Sequence, residues 1–488
     1  MRAATHARRI HALHAAIACA LVAFTGCAVL REPTGAEVQS QALGRTAIPP
    51  NWSAEASAAQ VDDGWLSTFD DPTLVQLVHE ALANNPDLLM AAARVEQANA
   101  QVDMAEAQLK PAIGLLGRAG SKPVADLVPL LSGVMLRLSW EIDLWGRMRY
   151  ARNAARAARD ASSADYRYAQ QSLAASVARA WFVASETRLQ MQLADEMATS
   201  AGRLVDLTEH RERVGAGSES ETLIARSNLS TYDDARQQMQ LANRQALRAL
   251  ETLLGRYPGA TLGARDTLTP FPGPVPAGIP MDALNRRPDM VAAERRVAAA
   301  FDKVGEAKAA MLPTLTLSAG YGRISNEVVE TREDLEQTTS SVAATGVMPI
   351  YTGGLLTGQV RLRTAEQKEA VADYARRALI ALGEVEDALD AERVLTERER
   401  ILRDAASASR RATTLEETSY RIGKSDLRAV NQRQLATWAA EIALLSVQRE
   451  RLSRRIDLHL ALGGNFGTAE EVASATPIEP ARDRAGTN

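Results

Sequence analysis

Val134-Met135-Leu136-Arg137-Leu138-Ser139-Trp140-Glu141-Ile142-Asp143 is the stretch on which the reading of this 488-residue chain turns. Val134, Leu136, Leu138, Trp140 and Ile142 alternate with Arg137, Ser139, Glu141 and Asp143, and Met135 is the exception. A period of two belongs to a strand, whose successive side chains point to opposite faces, while a helix repeats every 3.6 residues. From Pro313 onward Leu315, Leu317, Ala319 and Tyr321 alternate in the same way with Thr314, Thr316, Ser318 and Gly320. A strand of about ten residues with one apolar and one polar face fits two settings. It can be half-buried in a soluble sheet, or it can cross an outer membrane with lipid on one side and water on the other.

The two stretches belong to two copies of one unit. Asn85-Pro86-Asp87 is echoed by Arg287-Pro288-Asp289, Arg94-Val95 by Arg296-Val297 and Pro111 by Pro313, all at an offset of 202 residues. Asp165-Tyr166 is echoed by Asp373-Tyr374, Arg213 and Gly215 by Arg421 and Gly423, and Leu254-Gly255 by Leu462-Gly463, now at 208. Two constant registers require one insertion, between Pro111 and Asp165. The chain is therefore a tandem duplication. The expected division is a leader over 1–26, an N-terminal segment over 27–64, a first repeat over 65–256, a Pro/Gly-rich linker over 257–280, a second repeat over 281–464 and a disordered tail over 465–488.

Each repeat reads helix, strand, strand, long helix, helix. Pro86 and Pro288 suit a first helical turn, with Asp87 and Asp289 at the positive end of the helix dipole. Pro111 and Pro313 stop those helices and open the strands. Hairpin loops are expected near Gly120 to Ser132 and Arg323 to Ser340. After Gly146 and Gly353-Gly354 come proline-free segments reaching Gly215 and Gly423, each close to 100 Å long if helical at 1.5 Å per residue. Heptad seams are expected on Val371, Ala375, Ala378, Leu382, Val385 and Leu389, and on Tyr232, Ala235, Met239, Ala242, Ala246, Ala249 and Leu253. A soluble helical bundle predicts the same seams, but not the attached strands.

The first thirty residues decide between the two settings. Arg2, Arg8 and Arg9 precede the apolar run Ala15 to Phe24 and then Thr25-Gly26-Cys27, which are the parts of an export signal, the run being too short to span a bilayer. Thr25-Gly26-Cys27 resembles the bacterial lipobox, which makes Cys27 the candidate lipidated first residue of the mature chain. Ala28 after the cysteine, by the same resemblance, favours outer-membrane retention. Four strands in lipid cannot leave open edges, and the smallest outer-membrane barrels need about eight strands. The chain must then associate to close a barrel.

Composition excludes other classes. The two cysteines, Cys19 and Cys27, lie within the first thirty residues, and His6, His11 and His14 lie in the leader; His79, His210 and His459 are scattered and read as helix-surface residues. No spacing suits a metal or a nucleophile, so neither an enzyme nor a cofactor is expected. A net charge of -4, from 56 Lys+Arg against 60 Asp+Glu without a basic stripe, speaks against nucleic acid as partner.

Arg286-Arg287-Pro288-Asp289, Ala293-Glu294, Leu312-Pro313-Thr314-Leu315 and Ala461-Leu462-Gly463-Gly464, in this duplicated layout, resemble the TolC-like outer-membrane efflux proteins, most of all the NodT-type lipoproteins of RND-type multidrug efflux systems. The resemblance covers roughly Trp65 to Gly464. It implies a homotrimer whose twelve strands form an outer-membrane β-barrel continuous with a periplasmic α-helical barrel. It also implies a passive conduit, lipid-anchored in the outer membrane and fed by an inner-membrane pump through a periplasmic adaptor. A periplasmic scaffold lipoprotein with bridging helices is the alternative, and it has no need of amphipathic strands. Arg137, Ser139, Glu141 and Asp143 are the candidate lumen-facing strand residues. The turns after the long helices are the candidate periplasmic tips, and the resemblance places gate and adaptor-docking residues there: Arg421, Lys424, Asp426 and Arg428, with Glu219 and Glu221 in the other repeat.

Overall fold

The computed structural model describes residues 31–54, 59, 61, 63–118, 131–326 and 335–467. Cys27, the expected leader and most of the expected tail lie outside the described residues. The elements are α1 Gly35–Leu43, α2 Pro72–Asn84, α3 Pro86–Ala107, β1 Ala112–Arg118, β2 Leu131–Ile142, α4 Arg147–Arg213, α5 Glu219–Leu253, α6 Pro280–Arg286, α7 Pro288–Ala309, β3 Thr314–Asn326, β4 Leu335–Val347, α8 Leu355–Arg421 and α9 Leu427–Ala461. The duplication is visible in the lengths: α3 and α7 both have 22 residues, α4 and α8 both 67, α5 and α9 both 35. All four long helices end on a glycine in the left-handed region, Gly215, Gly255, Gly423 or Gly463, where a side chain would be strained. In each, the amide after the glycine reaches back five residues, as from Ala216 to the Arg211 carbonyl at 2.8 Å and from Lys424 to Ser419 at 2.8 Å. This closes the last turn and satisfies carbonyls that the helix itself leaves open.

One compact unit holds the four strands together with the segments Arg94–Ser163 and Ala292–Ala375. The strands form a single antiparallel sheet in the order β1-β2-β3-β4. The hairpin loops are shorter than expected, because Ser132 already lies in β2 and Arg323 to Asn326 continue β3, while β4 starts at Leu335. Ladder hydrogen bonds keep these residues in the strands beyond the point where their alternation of polarity fades. Beside the sheet, Tyr150 lies against Gly305, where a Cβ would come 2.5 Å from the ring. Trp145 donates its indole N–H to the Pro313 carbonyl at 2.6 Å. Helix α1 opens on a reciprocal cap: the Thr34 amide donates to Glu37 at 2.7 Å and the Glu37 amide to the Thr34 hydroxyl at 3.4 Å.

The second unit comprises Thr46–Ala93, Ala164–Val291 and Arg376–Asn488. Its main core joins Trp65, Phe69, Leu74, Val78, Trp181, Phe182, Leu250, Leu254, Leu452 and Ile456. Asp71 caps α2 through the amides of Thr73 and Leu74 and accepts from the Trp181 indole at 2.9 Å, with Arg265 also 2.9 Å away. Burial alone would raise the Asp71 pKa, but the bonds from Trp181, Arg265 and Leu74 hold it below the usual carboxylate range. The interrepeat linker is tied down rather than free: the amides of Ala260, Thr261 and Leu262 donate to the Glu251 carboxylate, and Phe271 lies under the guanidinium groups of Arg451 and Arg455.

Four expectations need correction. His459 is not a surface residue; it is buried and stacked on Trp65 with ring centroids 5.8 Å apart. Burial, with the charge of Arg455 adding to it, lowers its pKa to about 3, so the ring is neutral. The start of the expected tail is ordered, since Asn465 accepts from the Gly64 amide at 2.8 Å and donates to Asp63 at 2.9 Å, and Phe466 packs on the core. The seam of α8 is centred on Tyr374, Ala378, Ala381, Val385 and Ala388, which keep the 4,3 spacing but share only Ala378 and Val385 with the expected set. Alanine takes the centre because its small side chain admits a neighbouring backbone, and the bulkier Leu382 and Leu389 flank it. In α5 the expected Ala249 is exposed, and the buried line runs through Asn243, Leu247, Leu250 and Leu254.

Candidate functional site: the strand sheet and the helical tips

Cross-strand partners share a face, so the register sorts the sheet residue by residue. Leu115 pairs with Leu136, Leu136 with Tyr321, Leu138 with Ala319, Trp140 with Leu317 and Ala319 with Val342. One face is therefore apolar across the middle of all four strands, with Arg323, Thr338 and Ser340 on it toward the far ends of β3 and β4. It is also bare in the single chain, with Leu115 73% and Val342 89% exposed. The opposite face carries Gly114 beside Arg137, Arg137 beside Gly320, Ser139 beside Ser318, and Glu141 beside Thr316, which pairs on with Thr345. The outer edges of β1 and β4 have no partner strand among the described residues.

Arg137, Ser139 and Glu141 thus stand together on the polar face, as their alternation implies. Asp143 does not. β2 ends at Ile142, and the Asp143 carboxylate instead accepts from the amides of Met148 and Arg149 at 3.1 and 3.0 Å and from the Arg149 guanidinium at 3.0 Å. It caps the start of α4, where unpaired amides and the helix dipole favour an anion. Glu141 is neutralised by Arg147 at 2.8 Å. Met135, the exception in the alternation, also has a structural reason: it pairs with Gly322, and a Cβ at that glycine would fall within 2.6 Å of its Cα. Gly320 and Gly322 leave the room that the Met135 side chain takes up.

At the helical ends, Arg421, Lys424, Asp426, Arg428 and Glu219 are exposed and Glu221 is half-buried. None of the six forms an ion pair within the chain among the described residues. Asp426 is the N-cap of α9 and accepts from the Ala429 amide at 2.8 Å; Ser218 does the same for α5, with the Glu221 amide at 3.3 Å. What joins the two turns is a residue that the sequence reading passed over. Tyr420 is buried in a cluster with Leu204, Val205, Ala225, Leu427 and Val430, and the Arg211 guanidinium lies 5.0 Å from its ring centroid. Burial, followed by the nearby Glu221 charge, raises its hydroxyl pKa. Its signal in the sequence was an aromatic ring in the last helical turn of a chain with only 4% aromatic residues.

A second missed group is Asp302 on α7, fully buried, with Glu32 beside it. Burial, and secondly the neighbouring Glu32, push its pKa up to about 8. Among the described residues, no group of three acidic, His or Cys side chains could hold a metal, and no helix is long and apolar enough to cross a membrane.

The arrangement of the sheet and the paired helical hairpins has close counterparts among known proteins. The family model described as "Outer membrane efflux protein" matches residues 77–256 and 279–464. The pyoverdine export outer membrane protein OpmQ of Pseudomonas putida is 30% identical over 440 residues, covering 86% of this chain and 92% of that protein. The CmeC outer membrane channel of Campylobacter jejuni superposes with a TM-score of 0.80 at 23% identity, over 88% of this chain and 97% of that one. The open-state MtrE outer membrane channel of Neisseria gonorrhoeae gives 0.75 at 26%, over 86% and 96%. With a TolC-like fold and both repeats matched, the chain belongs to the outer membrane efflux protein family.

Proposed function

We propose that three copies of this chain close one twelve-stranded barrel in the outer membrane and form a passive export duct for small solutes. The apolar face of the sheet meets lipid, and Arg137, Ser139 and Glu141 line the lumen. The observation that carries the reading is the four-stranded sheet itself. Its apolar face is unburied and its two edges are open, which water tolerates poorly and lipid forbids unless further copies complete the ring. The two 67-residue helices α4 and α8, each about 100 Å, reach from the membrane into the periplasm, where an adaptor and an inner-membrane pump deliver the cargo. Cys27 carries the lipid anchor, so that acyl chains and barrel both hold the protein in the membrane.

Purified protein reconstituted in planar bilayers should conduct, and crosslinking should stop at three chains. A mature protein that stays monomeric and water-soluble refutes the reading. Susceptibility profiling of a deletion strain against a broad compound panel then identifies the cargo.

A further inference from the structure

Arg137 stands in a clearing. It lies near the middle of β2, and both its cross-strand neighbours are glycines, Gly114 on β1 and Gly320 on β3. A Cβ built at Gly114 would meet nothing within 4 Å. Arg137 is exposed and has no hydrogen bond or ion pair among the described residues. Of the other charges on this face, Glu141 is held by Arg147 at 2.8 Å, and Arg118 stands at the far end of β1, in register with Gly133. On β3 and β4 the same face offers Thr316, Ser318, Ser341 and Thr345, all neutral. In mid-strand the described polar face of one chain therefore carries a single unbalanced charge, the Arg137 cation, with open space on its β1 side.

We propose that, in the assembled duct, three Arg137 guanidinium groups form a ring that makes the membrane-spanning section selective for anionic solutes; this rests on the lumen-facing reading above. Rings of like charge set the selectivity of wide pores, arginine and lysine favouring anions. The low-dielectric wall of a barrel focuses the field of such a ring onto the water inside. A guanidinium stays charged throughout the physiological pH range, so the preference does not titrate near neutrality. It does respond to salt, because screening shortens its reach from about 30 Å at 0.01 M to about 3 Å at 1 M.

The test is the reversal potential of the full-length protein in planar bilayers under a KCl gradient. Chloride should permeate better than potassium at low salt, with the ratio falling toward unity at high salt. R137K should keep the preference, R137Q should lower the ratio at least about twofold, and R137E should invert it. Ratios that are the same in wild type, R137Q and R137E overturn the proposal while leaving the duct intact. Absence of any conductance in the wild type overturns the duct reading itself and the proposal with it.

Discussion

The side-chain amide of Asn85 donates to the Leu253 carbonyl at 2.9 Å, tying the start of α3 to the end of α5. One repeat later Arg287 makes the equivalent bond to the Ala461 carbonyl at 3.3 Å, tying α7 to α9 by different chemistry. Asn85 also accepts from the amides of Asp87 and Leu88 and so caps its own helix. Arg287 has no acceptor to offer; it is clamped instead by both oxygens of Asp289 and by Glu384. Losing a side-chain cap costs about 1 kcal/mol, whereas stranding the partners of a buried ion pair costs about 3–5 kcal/mol. Arg287 is 3% exposed. R287A should therefore lower the melting temperature of the detergent-solubilised protein clearly more than N85A, and equal or reversed shifts would remove the argument.

The glycines that end the long helices separate strain from collision. Gly215 and Gly255 both have positive φ, 72° and 74°. A Cβ at Gly215 meets nothing within 4 Å, but at Gly255 it would fall 2.5 Å from the Asn84 carbonyl oxygen. G215A should cost about 1 kcal/mol, the penalty of a left-handed alanine. G255A should cost more and disturb the junction of α2 with α5, seen as a larger loss in thermal melting.

Asp302 makes the seating of the N-terminal segment depend on pH. Its folded pKa is raised to about 8 from the ordinary carboxylate value of 3.8, so between those values the folded state binds the proton and the unfolded state does not. Stability contributed at this site is fully present below about pH 4 and is lost as pH rises through about 8. Glu32, on the segment leading into α1, supplies the opposing carboxylate. Hydrogen exchange in Gly35–Leu43 should accelerate between pH 6 and pH 9, after correction for intrinsic exchange, and D302N should flatten that dependence. The same acceleration in the variant would point to another group.

The sheet predicts two classes of substitution. Leu136 and Leu317 sit on the apolar face, Ser139 and Thr316 on the polar one. An arginine facing lipid near the bilayer midplane costs about 2–4 kcal/mol, while one facing the lumen is mild. L136R should reduce trimer yield in outer-membrane fractions and S139R should not; loss in both would reject the assignment of faces.

Much of this was legible because strand alternation and duplication are written in local sequence. Pro111 and Pro313 marked where strands begin, and the lengths of α4 and α8 followed from two proline-free runs that end at glycine. Asp143 was misplaced because period two cannot tell the last strand residue from a helix cap one step further on. His459 and Tyr420 were missed for another reason. Each is buried by partners distant in sequence, Trp65 for the histidine and Arg211 with Leu204 and Ala225 for the tyrosine, and no local pattern announces those partners. The Asp302 site needs Glu32, some 270 residues away, to acquire its meaning.

The helical tips are held together by packing rather than by the charges that first drew attention to them. Among the described residues Arg421, Lys424 and Arg428 form no ion pair with their own chain, and exposed pairs contribute only about 0–1 kcal/mol in any case. Tyr420 seals the junction of the α4–α5 and α8–α9 turns with Leu427 and Val430 from one side and Leu204, Val205 and Ala225 from the other. Truncating a buried aromatic ring costs about 3–5 kcal/mol, enough to loosen a locally stabilised tip while leaving the barrel and the distant core untouched. Asp426 must be tested with its cap in mind: D426N keeps an acceptor for the Ala429 amide and removes only the charge, whereas charge reversal there would disturb α9 as well. If the tips close the inner end of the duct, Y420A should raise single-channel conductance and admit vancomycin-sized solutes into cells while trimers persist on gels. R428E and D426N should do the same only if these charges meet across the threefold axis. An unchanged Y420A channel beside a leaky R428E or D426N channel would assign closure to contacts between chains rather than to this intrachain seal.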